Sequence, residues 1–310
     1  TYRDVGEINM PLLNPGDSLL LYGLYNTGKT TQLIELIKAL YKETGKKALG
    51  YGCDTGSIRS LQEQVVVPGL CELEVYGYHD DPHLFVDSAV QGKRRVNGKW
   101  TQADVTQYSL VFVESLTGLG DLVVGSIGKQ VAEGRNVGGD AMKAPKLAIQ
   151  ADGYVINIAA NSPTHYNMAQ KFLLEKVLQS QALPVPVVWT AHEDVAIPAK
   201  RDDAGNLRPE VAVDIGVQGM IGPLVAGHAL TMHLGKYFVY MFRLKEEVKP
   251  NGSERILLSN RHKDGLYEGL GANRAPLGAN VPGRMAPADI VKLLTLIHTA
   301  KAHAYKKETA

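Results

Sequence analysis

One octet, Gly23-Leu24-Tyr25-Asn26-Thr27-Gly28-Lys29-Thr30, constrains this chain more than any other stretch. Two glycines bracket four other residues, and a lysine and a hydroxyl follow the second. That spacing lets a short loop curl around an anion with successive backbone N–H groups facing inward. The flanks decide where the loop must sit. Residues 18–22 form an apolar run that reads as a buried strand. From Thr30 onward Leu33, Leu36, Ile37, Leu40 and Tyr41 recur at helical spacing until Thr44-Gly45 stops the run. Strand, glycine loop and helix in this order aim the helix's positive end at the loop.

The octet fits G-x-x-x-x-G-K-[ST] in full, and the motif assigns chemistry to its members. Lys29 is a point charge for the β- and γ-phosphates of a nucleotide, and Thr30 a hydroxyl for Mg²⁺. The candidate nucleotide contacts are Gly23, Tyr25, Asn26, Thr27, Gly28, Lys29, Thr30 and Thr31. No Asn-Lys-x-Asp guanine-reading motif occurs in the sequence, which favours ATP.

The rest of the chain alternates strand and helix signals. Residues 47–52, 73–78, 109–113, 154–159 and 185–191 read as strands. Ser162-Pro163 opens a helix running to about residue 181. Residues 237–244 and 255–260 read as a hairpin around Asn251-Gly252, and 288–306 as a closing helix. Residues 134–145 are rich in Gly and charge and read as mobile, and 192–222 as a polar stretch without periodicity. The expected fold class is α/β, with a mostly parallel central sheet, helices on both faces, a late hairpin and a C-terminal helix.

Composition excludes more than it selects. Lys plus Arg number 33 against 32 Asp plus Glu, so any nucleic-acid surface must be a local patch. Cys53 and Cys71 are the only cysteines, too few for a disulfide framework or a zinc quartet. No apolar run approaches membrane-spanning length, and the expectation is a soluble, cytoplasmic protein.

A phosphate loop of this type works with carboxylates at neighbouring strand ends. The run 109–113 ends at Glu114-Ser115, which makes Glu114 the candidate partner of Mg²⁺ beside Thr30. The run 47–52 ends at Cys53-Asp54, and Asp54 is a candidate base for the attacking water. Asp54-Thr55-Gly56 equally reads as an Asx-turn, and both readings stay open. The run 185–191 ends at His192-Glu193, where His192 reads either as a γ-phosphate sensor or as a loop cap.

With these strand ends in place the sequence resembles the RecA-like P-loop ATPases, most of all their small phage-type members. Those include single-strand annealing and recombination ATPases. The resemblance covers roughly residues 16–275. It rests on residues 23–30, on Leu110-Val111-Phe112-Val113-Glu114-Ser115-Leu116-Thr117 and on Val187-Val188-Trp189-Thr190-Ala191-His192-Glu193. It implies a three-layer RecA-like domain over residues 1–285, with a helix and basic tail over 286–310. It implies a catalytic carboxylate at Asp54, where RecA itself has Glu, and the metal carboxylate at Glu114, where Asp is commoner. It also implies a polar sensor at His192, where RecA has Gln. These departures bear on hydrolysis rate more than on binding. A further implication is a homo-oligomer, ring or filament, in which a basic residue reaches the neighbouring site. Arg261, Lys263 and Arg274 are the candidates.

Single-stranded DNA is the partner the resemblance implies, bound by two loops. Residues 129–146 carry Lys129, Arg135, Lys143 and Lys146, and 194–222 carry Lys200, Arg201 and Arg208. Acidic residues are interspersed, and a solvated polar loop is the competing reading for both. Lys93-Arg94-Arg95 with Lys99-Trp100 is a denser patch in a hairpin-like stretch, read more readily as a surface turn. His79 and His83 flank Pro82 without further metal ligands nearby. The functional expectation is an ATPase acting on DNA in recombination, annealing or replication. A DNA-translocating motor, a small-molecule kinase and a nucleotide-dependent assembly switch are the alternatives.

Overall fold

The computed structural model describes residues 11–132, 146–151, 154–159, 163–197, 219–226, 234–264, 267–275 and 280–309. The phosphate-loop flanks form as expected, β1 (Ser18–Gly23) followed by α1 (Lys29–Thr44). Next come β2 (Ala48–Gly52), α2 (Thr55–Leu61), β3 (Cys71–Val75) and α3 (Pro82–Val90). A small hairpin of β4 (Lys93–Val96) and β5 (Lys99–Gln102) precedes β6 (Leu110–Glu114) and α4 (Leu116–Ala132). A second separate hairpin pairs β7 (Lys146–Ala151) with β8 (Tyr154–Ala159), and α5 (Pro163–Ser180) leads to β9 (Val187–Ile197). The chain continues through β10 (Gly219–Pro223), β11 (Tyr240–Lys249), β12 (Gly252–Leu258), β13 (His262–Asp264), β14 (Tyr267–Gly269) and β15 (Arg284–Met285). It closes with α6 (Ile290–Thr309).

The central strands run parallel in the order β3-β2-β6-β9-β1-β11. Antiparallel β12 and β15 extend the β11 edge. Both faces of β1, β2 and β6 are covered, so these three are buried along their whole length and lack alternation. The pleat still sorts their side chains. Leu19 and Leu21 of β1 point to one face, Leu20 and Tyr22 to the other. β6 divides in the same way, with Leu110 and Phe112 against Val111 and Val113. The first face packs on Leu33, Leu36, Ile37 and Leu40 of α1 and on Ile290, Leu293, Leu294 and Ile297 of α6. The second packs on Phe85 of α3, Leu119 and Val123 of α4, and Leu173 and Val177 of α5. Each fully buried leucine contributes about 1.5–3 kcal/mol of transfer free energy. The three-layer α/β arrangement with a mostly parallel sheet is therefore the expected one, late hairpin and terminal helix included.

Local chemistry sets the element ends. Gly28 takes φ +95° just before α1, and Gly45 takes φ +68° just after it, donating its N–H to Tyr41 O at 2.8 Å. Asp81 caps α3 by accepting from Leu84 N at 2.9 Å, with Pro82 in the first turn. Asn97 and Gly98 both adopt positive φ in the β4–β5 turn, as a tight hairpin of that twist requires.

Several boundaries differ from the sequence reading. β3 begins at Cys71, ahead of the expected 73–78. α2, α3 and α4 were not foreseen, and a wider helical turn at Gln62–Val66 extends α2. β9 does not stop at Ala191 but continues to Ile197, because residues 193–197 pair antiparallel with β10. The late hairpin turns at Pro250-Asn251, one residue earlier than expected, since Lys249 is already paired with Gly252. The stretch 134–145 lies outside the described residues.

Candidate functional site

Parallel strands joined by helical crossovers bring their C-terminal ends to one rim, where α/β sheets bind ligands. The register shows it directly: Gly23 stands beside His192, and Gly52 beside Glu114. A cavity of about 300 Å³ opens at this rim. The loop contributes Tyr25, Asn26, Gly28, Lys29, Thr30 and Thr31 to it. The strand ends contribute Asp54, Glu114 and His192. Gly23 and Thr27 stand behind the loop instead. A Cβ at Gly23 would lie 2.2 Å from Leu244 O, so only glycine lets β11 pass there. Thr27 Oγ1 donates to Leu24 O at 2.9 Å and braces the loop.

Lys29 is held by its own loop, its Nζ donating to Gly23 O at 2.9 Å and Leu24 O at 2.8 Å. Burial pushes its pKa down, against the pull of Glu114 and Asp54. Thr30 Oγ1 donates to Glu114 Oε1 at 3.1 Å. Glu114 is only 2% exposed, and its Oε2 has no partner among the described residues. Burial raises its pKa despite the opposing effects of Thr190, Lys29 and Thr30. A buried carboxylate oxygen without a donor, next to a hydroxyl, is a hard oxygen pair suited to Mg²⁺.

Asp54 forms the expected turn and stands at the cavity as well. Its side chain caps α2, Oδ1 accepting from Gly56 N at 3.0 Å, and it also faces the cavity. Its Oδ2 lies 3.6 Å from His192 Nε2, an ion-pair distance only if the imidazole is charged. Burial and the nearby Lys29 push the His192 pKa down, so the neutral ring is favoured. The ring is fixed from outside by Tyr25, whose centroid stands 4.0 Å away, and its Nδ1 has no hydrogen-bond partner among the described residues. Its backbone is fixed by Thr117, which accepts from His192 N at 2.8 Å. Cys53, beside Asp54, is a packing residue: burial pushes its thiol up to about 12.

Sequence reasoning missed Arg255, Ser57 and Ser60, all of which line the cavity. The serines belong to α2, and no motif marks Arg255. It also missed what Glu193 does. Arg243 grips Glu193 in a two-point fork, Nε to Oε2 at 2.7 Å and Nη2 to Oε1 at 2.6 Å, with side chains 3% and 7% exposed. Arg243 Nη1 also meets His262 Nε2 at 2.6 Å.

The other candidates fall elsewhere. Arg261 and Arg274 line a second cavity with Lys236, which shares no residue with the phosphate-loop cavity. The side chain of Lys263 lies outside the described residues, as do most of 129–146 and 194–222. Within the patch 93–100 both arginines are engaged inside the chain. Arg94 pairs with Glu72 at 2.9 Å, Arg95 with Asp80 at 2.6 Å, and Arg95 stacks on Trp100 at 4.5 Å. His79 and His83 pack on the rings of Tyr78 and Phe172, and the described residues hold no cluster of metal-binding side chains.

No family model and no curated protein matches this sequence. Among solved structures it is similar to a KaiC-like protein from the hyperthermophilic archaeon Pyrococcus horikoshii OT3. The identity is 11%, the overlap 79% of each chain, and the TM-score 0.40. A likeness of that degree says nothing about chemistry. No described helix is long and apolar enough to cross a membrane.

Proposed function

We propose that this chain binds ATP with Mg²⁺ and hydrolyses it, as a RecA-like ATPase that assembles into a homo-oligomer on single-stranded DNA. The observation that supports the nucleotide reading most is the meeting of Thr30 and Glu114 at 3.1 Å beside Lys29. In this reading the loop N–H groups and the start of α1 bind the phosphate tail. Lys29 leaves the carbonyls of Gly23 and Leu24 and turns to the phosphates. Thr30 and Glu114 hold Mg²⁺, which when bound supplies positive charge to the phosphate oxygens. Asp54 orients a water and takes its proton, and neutral His192 donates toward the γ-phosphate without adding charge.

Support for DNA comes from the cations of 129–146 and 194–222, not from the patch 93–100. Support for assembly comes from Arg261 and Arg274, which line a cavity separate from that of their own phosphate loop. One observation favours a second reading, nucleotide as an assembly switch without rapid turnover: Asp54 already spends one oxygen on Gly56. An ATPase assay with and without single-stranded DNA, paired with electron microscopy of the same samples, separates the two. Turnover that rises with DNA alongside visible assemblies supports the ATPase. Tight binding with no turnover under either condition selects the switch.

A further inference from the structure

The late hairpin contributes a side chain to the nucleotide site. Leu257 of β12 packs on the face covered by α1 and α6, and Arg255, two residues earlier, points to the same face. There it reaches past the start of α1 to the phosphate loop. A Cβ at Gly28 would stand 3.0 Å from Arg255 Cδ and 3.4 Å from its Nη1. The guanidinium thus lies over the glycine that precedes Lys29, inside the same cavity as Thr30 and Glu114.

Its surroundings leave this charge unspent. Other arginines of the chain are matched to carboxylates: Arg243 to Glu193, Arg284 to Glu247, Arg94 to Glu72 and Arg95 to Asp80. The carboxylates nearest Arg255 along the hairpin are engaged elsewhere. Glu254 pairs with Lys249, and Glu246, directly across the ladder, accepts from Ser253. Among the described residues the Arg255 side chain has no ion pair, although it lines the cavity that holds Lys29. Two cations flanking one glycine loop repel each other when no anion is between them, and a polyphosphate reverses the sign of that interaction.

We propose that Arg255 contacts the phosphates of a bound nucleoside di- or triphosphate, working in cis with Lys29 from the outer side of the loop. The proposal rests on the nucleotide reading above. A planar guanidinium fork matches two phosphate oxygens at once, which a lysine cannot do. It also ties the β11–β12 hairpin to the occupancy of the loop.

The test is a titration of the full chain with Mg²⁺ and a non-cleavable ATP analogue, then with ADP, at several salt concentrations. Wild type is compared with Arg255→Gln, which keeps the apolar stem, and Arg255→Lys, which keeps the charge. The expected result is a loss of about tenfold or more in affinity for the analogue in Arg255→Gln, with a shallower salt dependence. Arg255→Lys recovers part of it, and the melting temperatures of all three agree. Wild-type affinity and salt slope in Arg255→Gln would sink the inference while leaving the nucleotide reading intact. Equal losses in both variants with an unchanged salt slope also overturn it, since only packing was then removed. Failure of the wild-type chain itself to bind nucleotide overturns both, and is recognisable because it precedes any substitution.

Discussion

Thr30 Oγ1, in the first turn of α1, donates a 3.1 Å hydrogen bond to Glu114 Oε1 at the end of β6. These two side chains are far apart in sequence, and only the parallel pairing of β1, β9, β6 and β2 brings them to one rim. The contact joins the hydroxyl of the phosphate loop to a carboxylate that is almost fully buried. Its consequences for a ligand-free and a loaded site can be measured.

Removing the lysine tests the loop itself. Lys29→Ala is expected to lower ATP turnover by at least about a hundredfold, because a cation aimed at the developing phosphate charge is lost. The fold survives, since α1 is held by Leu33, Leu36, Ile37 and Leu40 rather than by Lys29. Circular dichroism with a phosphate-release assay checks both halves. A variant that keeps the wild-type rate refutes the site.

Glu114 carries a pH signature. Burial raises its folded pKa above the unfolded value. A carboxyl shifted that way contributes stability while protonated, below the ordinary Glu value, and loses it as pH rises through the folded value. Glu114→Gln keeps an acceptor for Thr30 and removes the buried charge. The ligand-free variant is expected to be more stable than wild type at about pH 8, by on the order of 1 kcal/mol, with the gap closing toward about pH 4. Turnover falls at the same time. Thermal melts across this range decide it, and a gap independent of pH contradicts the assignment.

His192 shifts in the opposite direction. Its folded pKa is depressed by burial and by Lys29, so folding disfavours the imidazolium. The native state then loses stability as pH falls from the ordinary histidine range, about 6.5, toward the lower folded value. His192→Gln is expected to be comparatively more acid-tolerant, its stability relative to wild type rising below about pH 6.5. Parallel urea titrations at about pH 5 and about pH 7.5 measure this. Curves that shift together by the same amount would mean the ring is not held neutral.

The sequence made part of this site readable and hid part of it for physical reasons. The octet 23–30 is local, and a strand, loop and helix each leave a periodic trace around it. Glu114, Asp54 and His192 were reachable because each ends or interrupts an apolar run, and parallel strands share one ligand-binding rim. Arg255 was not reachable, since its position at Gly28 follows from the β11–β12 register and the direction of one pleat, neither of which is local. The second half of β9 was hidden in a different way. His192-Glu193-Asp194 reads as the end of a strand, yet Glu193 continues the strand, because Arg243 receives its charge inside the sheet. In the patch 93–100 the surface-turn reading takes the form of the β4–β5 hairpin. Its cations and Trp100 have the composition of a nucleic-acid surface, but Arg94 is already paired with Glu72, and Arg95 with Asp80 and the Trp100 ring.

The Arg243–Glu193 fork gives the remaining prediction. Both side chains are almost wholly buried, and Glu193 directly follows the cavity residue His192 in β9. Taking away one member of such a pair leaves its partner's charge in a poorly solvated place, which costs roughly 3–5 kcal/mol. Glu193→Ala is therefore expected to destabilise the chain by that amount in equilibrium denaturation. The pair replacement Glu193→Leu with Arg243→Met removes both charges and is expected to recover most of the loss. Because β9 also carries His192, the single variant should weaken nucleotide binding more than the double one does. If the double variant is no more stable than Glu193→Ala, the cost comes from lost packing or from the His262 contact, and the fork is not what holds the second half of β9 in place.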